Sequence, residues 1–70
     1  MANALFNLGA MAAGDVQAYM WFNLSASRTT GEDRDKAVEN RDRVANRLTP
    51  NQRTEAQRLA REWDEAHPRD

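Results

Sequence analysis

Asp15-Val16-Gln17-Ala18-Tyr19-Met20-Trp21-Phe22-Asn23-Leu24-Ser25-Ala26 is the stretch that decides how this chain is read. Apolar residues recur along it at helical spacing, from Val16 through Tyr19, Phe22 and Ala26, with Met20 and Leu24 one turn apart. A helix over about residues 16–27 follows, apolar on most sides and therefore expected to be the most buried of the molecule. Its centre, Tyr19-Met20-Trp21-Phe22, sends four bulky side chains in four directions at about 100° per residue. One helix in a small bundle rarely buries every direction, so at least one of the four should be partly exposed or buried against another chain. Either all four join a core with Trp63 and Leu59, or some of them form an interaction surface, where aromatic residues and methionine are enriched.

Upstream, residues 3–13 repeat apolar positions at Ala4, Leu5, Leu8, Met11 and Ala12, which predicts a first helix. Gly14-Asp15 interrupts it, glycine suiting a left-handed terminus and aspartate the N-cap of the next helix. A tight turn there is favoured over a fused helix, because glycine costs roughly 1 kcal/mol in a helix interior. Downstream, residues 27–31 read as a loop, and Thr30 with Asp33 loosely resembles a capping box. A third helix, about 32–47, carries its stripe at Ala37, Val38, Arg41, Val44, Ala45 and Leu48, with Glu32/Lys36 and Glu39/Arg43 as ion pairs outside. Thr49-Pro50-Asn51-Gln52 is the clearest helix start, joining an N-cap threonine, proline at the first position and glutamine at the third. The fourth helix runs to about Ala66 with Ala56, Leu59, Ala60 and Trp63 on one face, and Pro68 stops it. Short turns between four helices imply two successive αα-hairpins.

The composition agrees. Seventy residues make one small domain at most. Leu, Val and Phe number ten with no isoleucine, twelve alanines take their place, and little β-branched material remains for strands. The net charge of −1 argues against disorder. All ten basic residues and ten of the eleven acidic ones lie in 28–70, while 1–27 carries only Asp15, so the first third must bury itself in the rest or in a partner.

Several functions drop out. Without cysteine there is no thiolate nucleophile, disulfide framework or cysteine zinc site. The only histidine, His67, could be drawn with Asp64 and Glu65 as a weak metal site, but a solvated chain end is the simpler reading. Ser25 and Ser27 have no base nearby, Glu32, Asp33 and Asp35 alternate with Arg34 and Lys36 as on a solvated face, and no phosphate loop exists. We expect no catalysis, no metal and no cofactor. Nine of the ten basic residues are arginine, which raises a small nucleic-acid-binding helical protein as an alternative. The acids Glu39, Asp42, Glu55, Glu62 and Asp64 nearly cancel them within the same helices, leaving no positive stripe. The longest apolar run, residues 18–22, is far too short to span a membrane, and nothing basic precedes the apolar N-terminal stretch as in a signal peptide. A cytoplasmic location is the default, although a longer parent chain would be free to carry an export signal.

The residues Leu8-Gly9 and Asp15 to Ala26 resemble the Sel-one-like repeat, an αα-hairpin related to the tetratricopeptide repeat. In that family the second helix places alanine, tryptophan, an aromatic residue and two small residues where this chain has Ala18, Trp21, Phe22, Ser25 and Ala26. Arg41-Asp42, Leu48-Thr49-Pro50 and Ala56 to Trp63 look like the closing hairpin that often follows the last repeat in bacterial members. The resemblance implies a scaffold or adaptor whose signature residues are architectural. It departs from the family in the shortened connection Ala10-Met11-Ala12-Ala13-Gly14.

The expected fold is all-α: a repeat hairpin over 1–29 and a capping hairpin over 30–70, together one domain, as a tetratricopeptide-like solenoid fragment or an irregular four-helix bundle. Ala4, Leu5, Leu8, Ala18, Phe22, Val44, Leu48, Leu59 and Trp63 are the expected core. The expected function is protein–protein interaction, with Phe6, Met20, Asn23 and Arg41 as contact residues because they flank the core stripes. The partner is another protein or a second copy of this chain through 1–27. A purely structural fragment with no partner is the further alternative.

Overall fold

The computed structural model describes residues 4–11 and 14–68. Four helices form in chain order: α1 Ala4–Met11, α2 Asp15–Arg28, α3 Gly31–Ala45 and α4 Pro50–Ala66. The fold is an all-α four-helix arrangement. Of the residues expected to pack, the side chains of Ala4, Met11 and Ala12 lie outside the described part.

Each helix boundary has a local cause. α2 starts at Gly14, which is itself the N-cap, in an extended conformation (φ −142°, ψ 159°) rather than a left-handed one. Asp15 is therefore the first helical residue and not the cap. It suits the positive end of the helix dipole there, and Arg47 donates to its carboxylate at 3.2 Å. Thr30 caps α3 by position, but its hydroxyl makes no capping hydrogen bond. Gly31 enters that helix at φ +63°, which turns the first amides away from Thr30, and Asp33 is a methylene shorter than the usual glutamate. α3 closes with tightened bonds, Arg47 N–H to Val44 O at 2.9 Å and Leu48 N–H to Ala45 O at 3.1 Å. The capping box of α4 is complete. The Gln52 amide donates to Thr49 Oγ1 at 3.1 Å, and the Thr49 amide donates to Gln52 Oε1 at 2.9 Å.

α2 is the hub, since α1, α3 and α4 each pack mainly against it and approach one another only marginally. The side-chain pairings give the directions. Asp15 meets Arg47 and Asn23 meets Arg41, so α3 runs antiparallel to α2. Tyr19 meets Gln57 and Arg28 meets Asp64, so α4 runs alongside α2 in the same direction. α3 and α4 thus diverge from their shared turn at Leu48-Thr49 and grip α2.

Small residues make the close approach possible. Ser25, Ala37 and Ala56 have no exposed surface, and Ala18, Ala26 and Ala60 are buried beside them. The central cluster joins Ala18, Tyr19, Phe22, Val44, Leu48 and Ala56, with Phe6, Val16 and Ala45 packed against it. Leu24 is buried as well. Of the expected core, Ala18, Phe22, Val44 and Leu48 are buried, while Leu5, Leu59 and Trp63 are half-buried. Leu8 departs from expectation: it is 45% exposed. α1 turns the side bearing Phe6 and Gly9 toward α2, and Leu8 lies about 100° around the helix from Gly9. Gly9 is what lets α1 sit down, because a Cβ there would meet the Phe22 ring at 2.8 Å.

Candidate functional site

Three surface regions grow out of this arrangement. The first is a groove of about 490 Å³ where α1, α2 and α3 meet. Its apolar lining includes Phe6, Ala18, Phe22 and Val44, and Arg43 and Arg47 also border it. Both arginines have carboxylates beside them, Glu39 at 3.4 Å and Asp15 at 3.2 Å.

The second region is at the far ends of α2 and α4. Arg28 Nε donates to Asp64 Oδ1 at 3.1 Å, and the same guanidinium lies over the Trp63 ring at 4.9 Å. Trp21 meets Trp63 edge-on with centroids 5.6 Å apart. His67, expected from sequence to be part of a solvated chain end, is exposed and stacks on Trp63 with centroids 4.0 Å apart. Its Nδ1 is 2.8 Å from the Trp63 carbonyl oxygen, and Arg28 also donates to the His67 carbonyl. With Asp64 engaged by Arg28, the cluster is a clasp between helix ends. Among the described residues no group of three His, Cys, Asp or Glu is placed to hold a metal ion.

The third region is a cleft of about 340 Å³ between the C-terminal half of α2 and the stretch of α3 up to Arg41. Here the structure joins two expected contact residues, since Arg41 Nη1 donates to Asn23 Oδ1 at 3.3 Å. Arg41 Nε and Nη2 both donate to Asp42 Oδ1 at 3.2 Å. Ser27 Oγ donates to the Leu24 carbonyl at 2.9 Å and Thr29 Oγ1 to the Ser25 carbonyl at 2.7 Å, so both hydroxyl protons are committed. Arg34 completes the cleft opposite them.

The four expected contact residues do not form one patch. Asn23 and Arg41 share the third region. Met20, half-buried, lies one turn before Asn23 on α2 and shares its side of the helix. Phe6 lines the first groove and packs on Phe22 with centroids 5.2 Å apart. Of the aromatic run, Tyr19 and Phe22 are buried while Met20 and Trp21, like Leu59 and Trp63, are only half-buried, so the four do not all join one core and the helix leaves two of its directions partly open. Arg34 was passed over in the sequence as part of a solvated charge run. Its seven-residue spacing from Arg41, which puts both on one side of α3, was the available signal. No helix among the described residues is long and apolar enough to cross a membrane.

No protein-family model, no curated protein and no solved structure matches this chain.

Proposed function

We propose that the chain is a protein–protein interaction module and forms the closing end of a helical-repeat scaffold of the Sel-one-like kind. One observation carries this reading: Leu8 is 45% exposed on α1, a helix without a single charged residue. A repeat that cannot bury both faces alone stacks on a neighbour, and its terminal unit carries a polar outer side. The polar side is α3, whose outward residues Glu32, Asp33, Asp35, Lys36, Glu39 and Arg43 are all exposed. Four of the five signature positions support the same reading, because Ala18, Phe22, Ser25 and Ala26 are buried as architectural residues would be, while Trp21 is half-buried against Trp63. α1 then faces the preceding repeat, and the cleft at Asn23 and Arg41 faces a partner.

Fusing one Sel-one-like repeat hairpin ahead of α1 tests the proposal. In a domain of this size each added kcal/mol raises Tm by about 4–8 °C, so a covered α1 face should be visible in a thermal melt. Leu8→Lys should erase the gain while changing the parent chain by less than about 0.5 kcal/mol. A fusion no more stable than its parts removes the repeat-end reading. Light scattering of the parent chain across concentration completes the test. A stable dimer lost on Leu8→Lys assigns the α1 face to a second copy instead.

A further inference from the structure

We propose that the cleft between α2 and α3 docks an acidic segment of the partner protein, with Arg34 and Arg41 each taking one carboxylate. This rests on the interaction-module reading and names the chemistry of the partner.

The argument begins with charge. The cleft is lined by two guanidinium groups, by Asn23 and by hydroxyl side chains, with no carboxylate among them. The neighbouring depressions differ, one including Asp15 and another Asp33. Position on α3 explains this. Arg34 and Arg41 are seven residues apart, close to two full turns, so they project from the same side of the helix. The residues sharing that side are Thr30, Ala37 and Val38, while Glu32, Asp33, Asp35 and Glu39 lie well around the cylinder. Asp42 accepts from one edge of Arg41.

Hydrogen bonding points the same way. Arg41 is fixed by Asn23 and Asp42 yet keeps two of its five N–H donors. Arg34 is exposed and forms no ion pair among the described residues. Because Asn23 Oδ1 accepts from Arg41, the amide nitrogen of Asn23 is left as a donor. Ser27 and Thr29 have given their protons to backbone carbonyls. Those two hydroxyls present only lone pairs, so the donors of the cleft are the free N–H groups of Arg34, Arg41 and Asn23, and an acceptor-only group such as a carboxylate is the complement of these three. The two arginines are separated by about 10.5 Å of helix rise. That separation is close to the spacing of acidic residues three apart on a polyproline-II segment, which has three residues per turn and about 3.1 Å of rise per residue and so brings both side chains to one face.

The test is a titration of the full chain, followed by backbone and arginine Nε–H NMR signals. The probe is a short proline-rich peptide in the polyproline-II conformation carrying two glutamates three residues apart. Its glutamine counterpart and inorganic phosphate are the comparison ligands. The expected result is saturable shifts at Asn23, Ser27, Arg34 and Arg41 with the glutamate peptide and none with the glutamine peptide. Arg34→Gln, at an exposed side chain with no ion-pair partner among the described residues, should weaken binding about threefold to fivefold while the helical circular dichroism stays unchanged. No saturable shift, or equal binding by Arg34→Gln, overturns the proposal. So does phosphate producing the same shifts at the same concentration as the peptide, because the cleft would then hold a free anion and not a segment. Failure here with a stabilised repeat fusion leaves the module reading standing. Peptide binding with a failed fusion removes only the repeat-end reading.

Discussion

α1 and α4 are both held by α2, but by opposite means. α1 is eight residues long, uncharged, and docked through the approach of Gly9 and Phe6 to the Phe22 ring. An isolated helix of that length is not stable in water, so α1 owes its helicity to the surface beneath it. α4 is seventeen residues long, starts on a complete capping box, carries its own Arg58–Glu62 ion pair, and is then pinned by Gln57 to Tyr19 and by Arg28 to Asp64. Its helix is encoded locally, and packing only positions it. The difference teaches where the chain should yield first: α1 melts when its one docking surface is disturbed, whereas α4 loses stability in small local steps.

The largest effect is expected at Phe22, the α2 ring on which α1 rests. Phe22→Ala removes a buried ring that touches α1 and belongs to the same cluster as Val44 and Leu48. Buried Phe→Ala changes cost about 3–5 kcal/mol, a large part of the roughly 5–15 kcal/mol that holds a domain together. Urea denaturation followed by far-ultraviolet circular dichroism should show most of the stability gone. A loss below about 1 kcal/mol would mean that the ring is not what joins α1 to the rest.

Gly9→Ala sharpens the comparison with a smaller effect of informative sign. Alanine gains about 1 kcal/mol of helix propensity. The new methyl, however, would stand 2.8 Å from Phe22 ring atoms that are themselves buried, and overpacking of this kind costs about 1–3 kcal/mol. A net loss of about 1 kcal/mol is expected. Amide exchange should accelerate across α1 more than across α4. A stabilised variant would show that α1 is free to lift away from α2.

The same division decides what could be read from the sequence. The capping box at Thr49 and Gln52 was legible because both partners lie within one turn. The buried positions Ala37, Val44 and Leu48 were legible because a long amphipathic stripe fixes its own face. Leu8 was misplaced into the core because an eight-residue helix with apolar residues nearly all round does not say which side docks. That side is chosen by the missing Cβ of Gly9 opposite a ring thirteen residues away. Arg28 with Asp64 and Asp15 with Arg47 were equally hidden. They depend on how α3 and α4 lie along α2, which no local spacing encodes. The half of the cleft at Asn23 and Arg41 came from flanking the core stripes. Arg34 was missed because charges were paired along one helix and not across two.

The smallest predicted effect lies at the start of α4. Thr49→Ala deletes the acceptor for the Gln52 amide but leaves the Thr49 amide bonded to Gln52 Oε1 and the Arg53 amide bonded to the residue 49 carbonyl at 3.0 Å. Only one orphan amide is released, since Pro50 has none to release, and the expected cost is at the low end for a lost cap, about 0.5 kcal/mol. Thr49→Ser keeps the acceptor and should stay within a few tenths of a kcal/mol of the parent. Exchange of the Gln52 amide should quicken in the alanine variant before any change appears in α1. If α1 and α4 instead lose protection together, the two regions melt as one unit and the contrast between them belongs to sequence alone. If the first turn of α4 loosens by itself, the helix is locally encoded, and α2 is left holding one partner that needs it for shape and another that needs it only for place.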